Sequence, residues 1–455
     1  MRSSWQMKSN EWFKRGSDQY LRIAVTGLRR SGKTTFMTAL VDALLHADAS
    51  AFPLWQVAAS GRLMGSKQAH YESLHIPTFP YAQQREMLSQ GLWPQATETL
   101  NEIRLVIRYQ PSGAIRQRLF HHRDLYLDLF DYPGEWLLDL PLLEQSFQQW
   151  SDSMQQAFAL TPVPTQKLFN QLSQLDSARP ANDYPLDAIA EDYQHYLIAA
   201  RDVGGYWLQP GRFLLPGELK GAPVLAFFPW FGQPVKHPEQ LSEDSCYRVL
   251  QRRYNYYRDQ VVAPFYRDYF SRFDRQVVLV DVLDALNHGE GAILQMQKAL
   301  CQALESFHYG RRHIFNRLFS PRIDRVVFAA SQADRVTLDQ YPALALLLDE
   351  LLAPAVNRIR FSGTAYQTMV TSAVVATEQG RIHGQSALRG RDLSSGEMIN
   401  VFPGGVPRSI PESSFWQQHH FDFPQFLPPS KPLNQLLPHM RMDALLEYLV
   451  GDKLS

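Results

Sequence analysis

The stretch "RIAVTGLRRSGKTTFMTAL", residues 22–40, constrains the fold most, because a glycine-rich loop joins an apolar run to a helical pattern. The run "LRIAVTG" is typical of a buried parallel strand. After it, Phe36 and Leu40 recur at helical spacing. The loop from Gly27 to Thr34 matches G-x-x-x-x-G-K-[ST] residue for residue. Glycines let backbone N–H groups point inward around an anion, and the helix N-terminus adds partial positive charge. The segment therefore predicts a strand, a phosphate-binding loop and a helix.

Side chains of this loop are predicted to contact a nucleoside triphosphate. Lys33 is expected to reach the β- and γ-phosphates and to assist catalysis, and the Thr34 hydroxyl is expected to bind Mg²⁺. Arg29 and Arg30 have two possible interpretations: one of them contacts the γ-phosphate or the base, or both are simply charges that face solvent. The predicted nucleotide-binding residues of this segment are Gly27, Arg29, Arg30, Ser31, Gly32, Lys33, Thr34 and Thr35.

A second nucleotide-binding element is expected within "RDLYLDLFDYPGEW", residues 123–136, at the end of its alternating run. Asp131 ends this predicted strand and is expected to hold Mg²⁺, with Asp128 as the alternative. Gly134 completes a D-x-x-G pattern, and its N–H is expected to reach the γ-phosphate. Glu135 occupies the place where many GTPases have a water-orienting glutamine. It is interpreted either as a catalytic carboxylate or as an acidic residue at a helix N-terminus.

A threonine that closes on Mg²⁺ should precede the strand paired with the Asp131 strand. The alternating run at 102–109 is the predicted partner strand. We favour Thr97 as both metal ligand and catalytic residue, and Thr99 and Thr78 remain alternatives.

The base is expected to be recognised after two later strands. "RVVFAASQADRV", residues 325–336, ends in Ser-Gln-Ala-Asp and resembles a diverged N-K-x-D element, in which the aspartate accepts both N–H donors of guanine's edge. Serine and glutamine replace the usual asparagine and lysine, so the lysine's charge and part of its apolar stem are lost. "YQTMVTSAVVATE", residues 366–378, resembles the S-A-[KL] turn that helps to bind guanine. The predicted base-binding residues are Gln332, Asp334, Ser372, Ala373 and Val374.

Composition limits the remaining possibilities. The 455-residue chain has 45 basic and 45 acidic residues, so its charge gives no case for a nucleic-acid partner. It has only two cysteines, and residues 1–16 lack the apolar core of a signal peptide, which favours a cytoplasmic location. The most apolar run, residues 222–232, is too short and too rich in proline to span a bilayer. Peripheral membrane contact through the aromatic segment 206–232 remains a composition-based alternative.

Predicted strands alternate with helical patterns, which indicates an α/β fold with nucleotide loops at the carboxyl ends of the strands. Strands are predicted at 22–26, 102–109, 123–130, 275–282, 325–331 and 367–372. The predicted organisation is a P-loop core at 1–134 and 273–380 with a long switch I insertion at about 46–95, a mostly helical inserted subdomain at 135–272, and a C-terminal part at 381–455 that forms a hairpin or extended segment and a helix on the core.

Several motifs together resemble one family. "GLRRSGKTTF", "DLFDYPGEW", "LVDVLDALNHG", "AASQADRV", "NVFPGGVPRSIPESSFW" and "LPHMRMDALLEYLVGDKL" are similar to those of the bacterial YcjX-like P-loop proteins over essentially the whole chain. The resemblance implies a Ras-like GTPase core with an added helical domain and a link to bacterial stress response.

The sequence therefore predicts a protein that binds GTP or GDP with Mg²⁺, hydrolyses GTP slowly and acts as a switch on an unknown protein effector through the insertion. An ATP-dependent P-loop enzyme and a scaffold with a structural nucleotide are the alternatives.

Overall fold

The computed structural model describes residues 19–28, 30–69, 76–97, 99–113, 121–161, 163, 166–306, 323–359 and 365–455. Within these residues, seven strands form one sheet in the order β2-β3-β4-β1-β5-β6-β7. The central pairs β4-β1, β1-β5, β5-β6 and β6-β7 are parallel, and only β3 runs antiparallel to its neighbours β2 and β4. The strands are β1 Gln19–Gly27, β2 Leu63–Ala69, β3 Asn101–Tyr109, β4 Arg123–Asp131, β5 Arg275–Val280, β6 Arg325–Ala330 and β7 Ala365–Val370.

Helices connect these strands and fill the long interval between β4 and β5. The α-helices of the described chain are α1 Lys33–His46, α2 Gln56–Ala59, α3 Tyr81–Ser89, α4 Gly134–Leu137, α5 Phe147–Ala159, α6 Gln166–Ser173, α7 Leu186–Asp202, α8 Gly211–Leu214, α9 Cys246–Tyr257, α10 Ala263–Asp268, α11 Val282–Asn287, α12 Glu290–Ser306, α13 Tyr341–Ile359, α14 Ser413–Trp416 and α15 Met442–Val450. This arrangement confirms the predicted α/β class with a large, mostly helical insertion.

The two faces of the sheet pack into different cores. One face, which includes Val278 and Phe328, shares a continuous apolar cluster with the helices of the β4–β5 interval, where Trp150 is fully buried. The other face packs against α1 and the C-terminal helix α15. Arg275, at the start of β5, is fully buried and donates to Asp452 with two N–O distances of 2.6 Å, just beyond α15. The domain boundaries stay a prediction.

The C-terminal part contains more regular structure than the sequence indicated. Within the described residues, β8 Thr377–Ile382, β9 Gln385–Arg391 and β10 Met398–Val401 form a three-stranded antiparallel sheet. Strand β2, inside the predicted switch I insertion, was also missed, because "LMGSKQA" is only partly buried and lacks a clear apolar alternation. An edge strand of this kind is fixed by its pairing with β3 rather than by its own sequence.

The aromatic side chains of segment 206–232 are packed inside the protein. Its buried side chains include Trp207, Phe213, Phe227, Phe228 and Trp230. Core packing therefore accounts for the composition that suggested membrane contact. Among the described residues, no helix combines the length and apolarity that crossing a bilayer requires.

Candidate functional site

A cavity of about 380 Å³ lies at the carboxyl ends of the central strands, where the connection from β1 goes to one side of the sheet and the connection from its neighbour β5 goes to the other. Ligands of open α/β sheets bind at such a switch point. The predicted residues that line the cavity are Gly27, Arg30, Ser31, Gly32, Lys33, Thr34, Thr35, Thr97, Gly134, Glu135, Gln332, Asp334, Ser372, Ala373 and Val374. The cavity therefore collects predicted residues from five separate parts of the sequence. Arg29 lies outside the described residues.

The loop between β1 and α1 has the backbone geometry of an anion cradle. Gly32 adopts a left-handed φ of 74° at the N-terminus of α1, and Arg30 has a φ of 54°. A Cβ on Gly27 would lie 2.0 Å from the Ser31 hydroxyl, so the loop can close this tightly only with glycine there. The Arg30 guanidinium is about half exposed and lies 3.7 Å from Asp284, an arrangement that places a positive charge at the cavity wall.

Four side chains that were predicted to face the phosphates and the metal form two contacting pairs. The Lys33 ammonium contacts the fully buried Asp131 carboxylate directly. The hydroxyls of Thr34 and Thr97 lie 3.0 Å apart. Among the described residues, no hydrogen-bond partner lies within reach of the second Asp131 oxygen, Oδ2, although that atom is buried. A buried carboxylate oxygen of this kind needs a donor or a cation.

The alternative candidates have other roles. Asp128 receives two hydrogen bonds from Arg104, at 2.6 and 2.8 Å, and so stabilises the β3–β4 pair. Thr78 pairs with Glu102 through an isolated β-bridge and does not line the cavity. Asp128 is thus paired with Arg104, and Thr97 lines the cavity whereas Thr78 does not.

The opposite end of the cavity contains a fixed carboxylate. Asp334 is 5% exposed; its Oδ1 lies 2.6 Å from the Ser372 hydroxyl, and its Oδ2 accepts the Ala376 N–H at 2.8 Å. Burial raises the pKa of Asp334, and the hydrogen bonds from Ser372 and Ala376 oppose that shift. The two predicted base-recognition segments are thus joined by direct hydrogen bonds, which orient the carboxylate.

Gln332 links the base end to the phosphate loop. It adopts a left-handed φ of 55°, and its Nε2 donates to the Arg30 carbonyl at 2.8 Å and to Asp281 Oδ2 at 2.9 Å. Asp281 in turn accepts from Arg335 over 3.0 Å. The amide of Gln332 is therefore used to hold the loop backbone.

The helical insertion contacts the start of α4, next to the cavity. A Cβ on Gly134 would lie 1.8 Å from the Gly27 carbonyl oxygen, and one on Gly211 would lie 1.8 Å from the Glu135 carbonyl oxygen. The Trp136 indole N–H donates to Leu215 over 3.2 Å. The backbones of the phosphate loop, α4 and the insertion are consequently in contact, and each of the two close approaches requires a glycine.

Sequence reasoning missed the side chains that complete the cavity wall. These include Leu28, Trp93, Pro94, Leu215, Asp281, Arg335, Thr371, Ala376, Leu393, Gln425 and Phe426. Several of them come from the insertion and the C-terminal part, and no motif joins those segments to the nucleotide elements.

Comparison with known proteins agrees with this geometry. A model of the YcjX-like family, DUF463, matches residues 21–454. The chain is 41% identical over 456 residues to the Ras-like GTPase YcjX of Escherichia coli K12, covering 98% of each protein. It is also 41% identical over 473 residues to the Ras-like GTPase YcjX of Shewanella oneidensis, covering 98% of this chain and 97% of that protein. These matches confirm the Ras-like fold expected from the phosphate loop and sheet, and because they extend over nearly the whole sequence, this chain belongs to the YcjX-like family.

Proposed function

We propose that this chain is a GTP-binding protein that hydrolyses GTP slowly with Mg²⁺ and acts as a nucleotide-dependent switch. The observation that carries the proposal is the single cavity with Lys33 and Thr34 at one end and Asp334 at the other. The names of its relatives, Ras-like GTPases, support the same activity. A role in stress response and a cytoplasmic location stay predictions.

Thr34, Thr97 and Asp131 would hold Mg²⁺. Neighbouring ligands of octahedral Mg²⁺ lie about 2.9 Å apart, because each ligand is at ~2.0–2.1 Å from the ion. The two threonine hydroxyls, 3.0 Å apart, fit this spacing, and the unpartnered Asp131 oxygen supplies a negative charge. Bound Mg²⁺ would neutralise charge on the phosphates. With Mg²⁺ bound, Lys33 would be free to leave Asp131 and reach the β- and γ-phosphates.

The end of the cavity that contains Asp334 fits guanine better than adenine. The two Asp334 oxygens are held in place by Ser372 and Ala376, and each retains a lone pair for a donor on guanine's edge. Adenine lacks the matching pair of donors, so its binding would leave the buried carboxylate poorly satisfied.

Slow hydrolysis follows from Glu135. This residue lies in the first turn of α4, where a carboxylate is stabilised by the helix dipole. Its carbonyl oxygen also lies against Gly211, where an added Cβ would approach to 1.8 Å. We therefore infer that the Glu135 carboxylate mainly stabilises the N-terminus of α4 and orients the attacking water poorly. The intrinsic rate of GTP hydrolysis is then low.

The contact between α4 and the insertion provides the switch. A γ-phosphate that draws the Gly134 N–H toward it would change the position of Trp136, which donates to Leu215. We expect limited proteolysis within residues 135–270 to differ between GDP and a non-hydrolysable GTP analogue. Identical digestion patterns would contradict the coupling, but they would leave nucleotide binding itself untouched.

Calorimetric titration with GDP and ADP, with and without Mg²⁺, tests the binding proposal. We expect GDP to bind more tightly than ADP and Mg²⁺ to strengthen the binding of GTP analogues. Lys33→Ala should abolish multiple-turnover phosphate release, and Asp334→Asn should weaken GDP binding without a matching loss for ADP. Equal affinity for both purines would favour the ATP-dependent alternative, and nucleotide binding without any turnover would favour the scaffold.

A further inference from the structure

The base end of the cavity has an aromatic wall that comes from outside the nucleotide motifs. Trp93 lies four residues before Thr97 and packs against a small apolar cluster that contains Val374, with Ala373 beside it. Its indole N–H donates to the Phe426 carbonyl oxygen over 2.9 Å. Both residues line the cavity. Two aromatic residues that are 333 positions apart therefore meet next to the predicted base turn.

The segment that carries Phe426 is fastened to the base-reading loop. We call residues 423–427 the C-terminal strap. Arg335, directly after Asp334, donates to the Pro424 carbonyl at 2.8 Å and to the Phe423 carbonyl at 3.2 Å. Asn287 exchanges two hydrogen bonds with the backbone of Phe423. The strap thus keeps a fixed position relative to Asp334.

The Phe426 ring is held from behind by the small sheet. A Cβ on Gly390 would lie 2.6 Å from the ring, so the ring packs directly against the backbone of β9, and Phe426 is only 4% exposed. The Leu393 N–H donates to the Gln425 carbonyl at 3.0 Å, which brings the Leu393 side chain to the same wall. The wall is preorganised, and a ligand does not have to order it.

This wall compensates for a feature that the base-reading motif lacks. Gln332 has a shorter stem than the lysine usual at its position, and its amide is already bonded to the Arg30 carbonyl and to Asp281. Another apolar surface is needed to cover a purine ring. Aromatic side chains stack on any base, because every base has a π-face.

We propose that Trp93 and Phe426 form the apolar walls of the purine-base subsite, so that the C-terminal strap is an integral part of the nucleotide site. This inference rests on the proposed nucleotide binding. It assigns affinity for the purine ring to the aromatic wall and the choice of guanine to Asp334.

The test compares Phe426→Ala with Phe421→Ala, which removes an aromatic ring of the same C-terminal part that does not line the cavity. Titration of full-length protein with GDP and ADP should show that Phe426→Ala weakens both about tenfold or more and leaves the GDP-to-ADP ratio unchanged. Asp334→Asn should change that ratio. Phe421→Ala should bind both nucleotides like the wild type.

Phe426→Leu provides a second variant if the alanine variant does not fold, since it retains apolar bulk but not a π-face. It should bind GDP less tightly than the wild type and more tightly than Phe426→Ala. Wild-type affinity in folded Phe426 variants, or an equal loss in Phe421→Ala, would overturn the inference. Failure of the wild-type protein to bind any purine nucleotide would instead overturn the proposed function.

Discussion

Gln332 illustrates how a single departure from a motif can be compensated by geometry. Its backbone is left-handed, and its amide bridges the phosphate loop at Arg30 to Asp281. Gln332→Asn suits the left-handed backbone but shortens the side chain, so both hydrogen bonds are lost. We expect GDP to dissociate about fivefold faster for each hydrogen bond lost, because each contributes ~1 kcal/mol. Stopped-flow release of a fluorescent GDP analogue measures this rate.

Gln332→Lys is the control for that experiment, because it retains the reach and a donor. We expect it to release GDP at nearly the wild-type rate. If Gln332→Asn and the wild type release GDP equally fast, the bridge to Arg30 does not hold the loop for binding.

The burial of Asp334 leads us to predict that the preference for guanine over adenine depends on pH. Burial raises its pKa above the ordinary value near 3.8, so it takes up a proton at a higher pH than an exposed aspartate would. The protonated carboxyl cannot accept two N–H donors, and guanine selectivity is therefore expected to fall as pH falls through the raised pKa. Titrations with GDP and ADP at several pH values measure the selectivity ratio, in which protonation of the phosphates cancels. A ratio that falls equally in Asp334→Asn would contradict this role.

At the scale of elements, the short helix α4 is held by the insertion more than by its own sequence. The Arg212 guanidinium lies 3.2 Å from the centroid of the Trp136 ring, and burial lowers the pKa of Arg212. Asp139, just after α4, accepts the Gly211 N–H at 2.6 Å and the Tyr257 hydroxyl at 2.6 Å. A four-residue helix has little stability alone. The insertion therefore determines the position of α4.

Arg212→Ala should lower the free energy of unfolding by about 2 kcal/mol, because a desolvated cation–π contact is lost. It should also reduce the difference in proteolysis between GDP and a GTP analogue. Chemical denaturation provides the measurement. Arg267→Ala is the matched control: Arg267 is exposed and pairs with its neighbour Asp268, so a change within about 0.5 kcal/mol is expected. Equal effects of the two variants would contradict the stacking role.

The sequence predicted those elements whose signal is local. The strand-loop-helix unit around Lys33 and the strand that ends at Asp131 are fixed by periodicity and glycine spacing, and the observed β1, α1 and β4 match them within a few residues. Strand β2 and the three-stranded sheet depend on pairing partners and could not be read from short segments. Likewise, no local pattern relates Trp93 to Phe426 or Gly211 to Glu135, because these contacts arise from the complete fold.

For the whole molecule, the shared apolar cluster predicts that the insertion and the sheet unfold together. Trp150 of the insertion and Val278 of the sheet belong to one continuous core, and the predicted boundary at 272–273 crosses it. Removing the insertion's helices would expose the apolar side chains of the sheet that pack against them, at ~25 cal/mol per Å² of apolar surface. A free-standing helical subdomain should therefore not survive when the sheet unfolds.

Hydrogen exchange measured by mass spectrometry along a denaturant series tests this cooperativity. Peptides from helix α9, Cys246–Tyr257, and strand β5, Arg275–Val280, should become exchangeable at the same denaturant concentration. GDP at about 100 times its dissociation constant should protect both by ~2.7 kcal/mol, since it binds only the folded chain. Exchange in α9 that precedes exchange in β5, with GDP protecting β5 alone, would instead show an insertion that opens by itself. In that case the switch would act by releasing a subdomain, and not by small shifts transmitted through a common core from Gly134 and Trp136.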